Sequence, residues 1–168
     1  MTDNIEINPE ISYQLEISEK ISEDYKMAAT ISEWLKSNLE NLTDDNDNKV
    51  FSKVNLGFDE NNLKGFGKQP VCDVYLNRLE YSSDFDYHKP ERAHSIIIFY
   101  MKGANDNAYL KCCQVHDYLM QEFITNVAFK RLENVVIDTY ITNSELMNQP
   151  INKKWGVMGA LELSHDLY

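Results

Sequence analysis

"AHSIIIFYMK", residues 93–102, is apolar on both sides of its alternation: Ile96, Ile98 and Tyr100 fall on one side, Ile97, Phe99 and Met101 on the other. A strand with one wet face alternates apolar with polar, so this run predicts a strand in the middle of a sheet. The rest of the chain can be arranged around it.

On its N-terminal side, "VCDVYLNRLEY" (71–81) sets Cys72, Val74 and Leu76 on one face before the phase passes to Leu79 and Tyr81. That shift predicts a β-bulge near Asn77 or Arg78. "KVFSKVNL" (49–56) reads as a shorter strand with Val50, Val54 and Leu56 on one face, and the glycine-rich 57–70 as a loop. On the C-terminal side, "ENVVIDTYIT" (133–142) reads as a strand, "NSELMNQPINKK" as a loop and "WGVMGALEL" (155–163) as the last strand. Ser164 continues its alternation, and residues 165–168 read as a tail, leaving His165 in solvent. Trp155, Val157 and Gly159 alternate there with Gly156, Met158 and Ala160, so both faces are apolar or small until Glu162. Something must cover the second face, either this chain or a neighbour.

Two helices complete the pattern. Ile21, Tyr25, Ala28, Ile31, Leu35, Leu39 and Leu42 recur at spacings of three and four, predicting a helix over 18–42 with Ser18 as its N-cap. Residues 1–17, which include Pro9, read as an arm, and 18–168 as a single domain. A second helix over 105–126 carries Tyr109, Cys112, Cys113, His116, Leu119, Met120, Phe123 and Val127 on one face, capped by Asn105 or Asp106. The order α-β-β-β-α-β-β gives an α+β fold: a mostly antiparallel sheet of about five strands with two main helices packed on one face.

Charge is unevenly placed. Residues 1–48 hold twelve acidic and three basic side chains, leaving fifteen and thirteen for the rest of a chain whose net charge is −11. No basic surface is available to displace counterions from phosphates, which excludes sequence-directed nucleic-acid binding. Met1 to Pro9 is polar and acidic, unlike a signal peptide. No apolar run nears the roughly 20 residues of a membrane span. The cysteines number three, two of them adjacent (Cys112 and Cys113), a poor disulfide framework and a better fit to reduced, partly buried thiols.

Each candidate for chemistry has a plainer reading. "GFGKQP" (65–70) lacks the glycine spacing and the following helix of a phosphate loop. "DDNDN" (44–48) opens like a calcium loop, but Lys49 stands where glycine is needed and Asn55 where an acid is needed. Cys112, Cys113 and His116 share a helical face without a second ligand pair, and read as core residues. Asp84, Asp86, His88 and Glu91 form the one acidic-histidine loop able to hold a divalent metal or act as acid and base. No nucleophile or phosphate cradle accompanies it. The chain therefore reads as an interaction protein rather than an enzyme, with no cofactor and no metal. Phe58 and Phe66, aromatics on a loop, join Trp155, Val157 and Met158 as candidate interface residues.

The long first helix, the short strand and loop, the two longer strands, the helix "AYLKCCQVHDYLMQEF", "NVVIDTYITNSELM" and the closing "WGVMGALEL" together resemble the tail-terminator and neck (head-tail joining) proteins of long-tailed bacterial and archaeal viruses and prophages. The likeness spans residues 20–163 and lies in wiring rather than in a motif. It implies a virion structural protein that forms a homo-oligomeric ring, a hexamer by analogy. Such a ring caps the tail tube, binds the tube protein and the head connector, and resides in the virion after assembly in the host cytoplasm. In such a ring a neighbouring copy would cover the apolar half of the last strand. Two other readings remain open: an acidic adaptor or inhibitor that docks its N-terminal region on a basic partner protein, and a metal-dependent enzyme using the 84–91 loop.

Overall fold

A computed structural model describes residues 9–57, 69–82, 89–102, 106–151 and 154–168. The order is α1 (Pro9–Asn41), β1 (Lys53–Leu56), β2 (Val71–Tyr81), β3 (Pro90–Lys102), α2 (Asp106–Thr125), α3 (Val127–Lys130), β4 (Val136–Ile151) and β5 (Lys154–Leu167). The strands form one sheet in the order β1-β2-β3-β5-β4. This is the expected α+β class, with a mixed sheet, because β1 lies parallel to β2 while every other pair is antiparallel. A parallel pair needs a connection of about a dozen residues, and the stretch between Leu56 and Val71 has that length.

β3 is the central strand, as its apolar run requires. Ala93, Ser95, Ile97 and Phe99 are buried on one side, facing Ile31, Leu35 and Leu39 of α1 and Cys112, Val115 and Leu119 of α2 within one core. Both helices thus cover the same sheet face. α1 lies over β1 and β2, and α2 over β3, β5 and β4. The Phe99 ring rests on its cross-strand partner Gly159, where an added Cβ would fall 2.1 Å from Phe99 Cζ. Glycine there is a packing requirement.

Several elements differ from expectation. α1 begins at Pro9, not Ser18, so half of the expected arm is helical; proline suits a first helical turn, whose N–H groups have no partner within the helix. β1 begins only at Lys53, and of the residues expected to share a face Val50 and Val54 are buried while Leu56 is exposed. On α2 the buried line runs through Ala108, Cys112, Val115, Leu119 and Phe123, leaving Tyr109 exposed; Val127, expected on the same face, opens α3 and is exposed too. The largest correction concerns 143–151, expected as a loop: β4 continues through it and pairs with β5 as far as Ile151↔Lys154. The expected tail is strand too, since β5 runs to Leu167 and His165 is buried completely. The bulge near Arg78 appears where the phase shift places it, between Leu76 and Arg78.

Candidate functional site

The two faces of β5 answer the question that its sequence raises. Val157, Leu161 and Leu163 point into the core beneath the helices, and Val157 is 1 % exposed. Val157 is therefore covered by its own chain and not available to a neighbour, which corrects its reading as an interface residue. Met158 lies on the other face, half-buried, and packs with Ile98 against Val71 and Tyr100 in a small second cluster. Phe58, Phe66 and the side chain of Trp155 lie outside the described residues, as do Asp84, Asp86 and His88; Glu91 is exposed on β3.

The sheet face turned away from α1 and α2 has an apolar half and a charged half. Register places Val71, Asp73 and Tyr75 of β2 beside Tyr100, Ile98 and Ile96 of β3, followed by Met158, Ala160 and Glu162 of β5. Asp73, fully buried, accepts a 2.7 Å hydrogen bond from Asn55 Nδ2 on β1. Burial, and then Glu162, push the Tyr75 hydroxyl above its ordinary range. Toward the other end His94 Nε2 lies 3.0 Å from Glu80 Oε2, and Arg92 Nε donates to Asp166 Oδ1 at 3.0 Å. The His94 contact holds the Glu80 carboxyl below its usual range. These pairs are partly solvated and contribute little to stability.

Beneath the helices His165 sits between two hydroxyls, with Nδ1 2.9 Å from Thr139 Oγ1 and Nε2 2.8 Å from Ser95 Oγ. The Trp34 ring meets it edge-on at 6.0 Å. A serine on a histidine has the outline of a nucleophile and its base. Here, however, Ser95, Thr139 and His165 are all at most 2 % exposed, so no substrate can reach the oxygen, and a hydroxyl stands where an orienting carboxylate would be needed. The trio ties β3, β4 and β5 together. Burial lowers the His165 pKa to about 4, keeping the ring neutral. No sequence signal marked it, because its strand had been read as a tail.

The remaining candidates are turned inward. Asp44 Oδ1 accepts from the backbone N–H of Asn46 and of Asn48, each at 2.9 Å, closing its own turn rather than facing a cation. Cys112 is buried with its thiol near the Val157 carbonyl, and its pKa is pushed up to about 12 by burial. Among the described residues no group of three or more His, Cys, Asp or Glu is placed to hold a metal, and no helix is long and apolar enough to cross a membrane. Compared with known proteins, the sequence matches no family model and no curated protein.

Proposed function

We propose that this chain is a non-enzymatic structural protein of a virus particle, of the tail-terminator kind. Copies would form a ring on the end of the tail tube and join it to the head connector. The feature that supports this reading is the wiring: α-β-β-β-α-α-β-β around one sheet, the expected order with the short α3 added, and both main helices on a single face. The opposite face then holds Met158, Ala160, Ile96 and Ile98 half-buried, an apolar strip of the kind that contact between copies completes. The acidic excess suits a channel through which DNA must slide without sticking.

The test is the solution mass of the full chain, alone and mixed with a tail-tube protein from the same genome. A ring-sized species in either sample supports the reading; a chain that stays monomeric in both overturns it. The charge of residues 1–48 favours a second reading, an acidic adaptor. Its test cannot delete that region, because Ile31, Leu35 and Leu39 belong to the core. Replacing Asp3, Glu6, Glu10, Glu16 and Glu19 with their amides keeps the fold's anchors, and an adaptor would then lose its basic partner in a pull-down. For the enzyme reading, calorimetric titration with magnesium, manganese, zinc and calcium decides, four flat traces removing it.

A further inference from the structure

β4 forms one edge of the sheet and is 16 residues long, whereas β1, at the other edge, has 4. Short or interrupted edges are protected; a long regular one recruits another strand. The first half of β4 is interrupted by register shifts at Val136/Asp138 and Ile141/Asn143. From Asn143↔Glu162 to Ile151↔Lys154 the ladder is unbroken.

Pro150 fixes which way the backbone points in that stretch. It pairs with Trp155 but has no N–H to give, and proline within an edge strand keeps its nitrogen on the outer side. The register agrees: pairs alternate in kind along an antiparallel ladder, so with Pro150↔Trp155 of the non-hydrogen-bonded kind, its neighbours Ile151↔Lys154 and Gln149↔Gly156 are of the hydrogen-bonded kind. Alternation then turns the N–H and C=O groups of Ser144, Leu146 and Asn148 outward. Among the described residues, none of these three has a backbone hydrogen bond outside the β4–β5 ladder.

The surroundings add an apolar rim. Leu146 is half-buried at the border of the core. Tyr118 of α2 donates its O–H to the Thr43 carbonyl at 2.7 Å, so that flank of α2 faces the end of α1. α2 also packs against β4, and helical spacing sets Tyr109, Cys113, His116 and Met120 on the flank opposite Tyr118, with Tyr109 41 % exposed.

We propose that a second copy of this chain pairs antiparallel with β4 through Ser144, Leu146 and Asn148, about a two-fold axis at Leu146, extending the sheet across both molecules. The stretch is complementary to itself in this register: Leu146 meets Leu146, Ser144 faces Asn148, and Glu145 faces Met147, so its single charge never opposes its like. Centring on Ser144 would draw the bulge at Ile141/Asn143 into the new ladder, and centring on Asn148 would set Pro150 against Leu146 and forfeit bonds. Strand backbones alone fall short of the roughly 600–800 Å² per partner that a stable contact buries. The α2 flanks of both copies, meeting above the Leu146 pair, enlarge it. This two-fold contact does not rest on the ring reading; the two coexist where two rings stack back to back.

Sedimentation of the full chain over a concentration series is the first measurement, with association into pairs expected. The Ser144→Pro/Asn148→Pro variant removes two outward N–H groups at positions equivalent to Pro150, and should weaken pairing by about tenfold or more with its melting curve kept. In a Cys113→Ser background, Leu146→Cys should form a disulfide-linked pair on mild oxidation, whereas Ser144→Cys should not. That contrast decides even where the proline variant fails to fold, and it reads the same pair inside a larger assembly. A wild-type chain that is monomeric at millimolar concentration overturns the proposal, as does an oligomer in which Leu146→Cys does not cross-link.

Discussion

A histidine with both ring nitrogens on hydroxyls and no exposed surface has exchanged water for Ser95 and Thr139. The neutral ring donates through one nitrogen and accepts through the other, and each hydroxyl can take either part. What the site cannot supply is solvation of a charge. With a folded pKa of about 4 against an ordinary 6.5, the unfolded chain binds the extra proton between those values. This contribution is therefore complete above pH 6.5 and is lost as pH falls toward 4. The loss is about 3 kcal/mol. Urea denaturation of wild type and His165→Gln at pH 7 and pH 4.5 should show the variant less stable at pH 7, with the gap closing at the lower pH; a gap that does not move would exclude His165 as the cause. Gly159 is a second position fixed by its neighbour. Gly159→Ala pushes a methyl into the Phe99 ring and should cost about 1–3 kcal/mol, partly recovered when Phe99→Leu is added. Neither residue was legible in the sequence, since a lone histidine near the end and a glycine among small residues acquire meaning only from what packs on them.

At the scale of elements, what could be read depended on how strongly the surroundings constrained each strand. β3 pairs on both sides through most of its length, and β2 lies against β3 throughout with β1 beside Val71–Val74, so their apolar phase is strongly dictated and the slip between Leu76 and Arg78 shows as a change of phase. β4 has one neighbour strand, and its residues 142–145 are exposed, so nothing requires an apolar pattern there and the run looks like a loop. α1 shows the converse: Leu35 is completely buried, and Leu35→Ala should cost about 3 kcal/mol in chemical denaturation. The same helix holds α3 by its backbone, with Trp34 Nε1 and Asn38 Nδ2 both donating to the Ala128 carbonyl, at 3.1 and 2.7 Å. Val157→Ala tests the reassigned face of β5. It should lower the stability of the isolated chain by about 2 kcal/mol and leave the solution mass unchanged; a changed mass with unchanged stability would return Val157 to an interface.

At the scale of the molecule, charge and contact pull in opposite directions. Each copy carries −11, mostly on its first 48 residues, so two copies approaching each other meet a repulsion that no basic surface offsets. The surfaces available for association are nearly neutral: outward backbone groups of β4 with one glutamate among them, the α2 flank, and the apolar half of the sheet face turned away from α1 and α2. Salt screens the repulsion, over about 10 Å at 0.1 M, and leaves backbone hydrogen bonds and apolar burial in place. Association should therefore tighten as sodium chloride rises from about 20 mM, where repulsion reaches across the whole molecule, to about 300 mM. Sedimentation at fixed protein concentration reads this directly. Replacing the acids of the first helix by amides should remove most of the salt dependence while keeping the assembled mass. The opposite trend, assembly dissolving as salt rises, would mean that the contact is an ion-paired one. The acidic N-terminal region would then belong to the binding surface itself, and the adaptor reading would displace the ring.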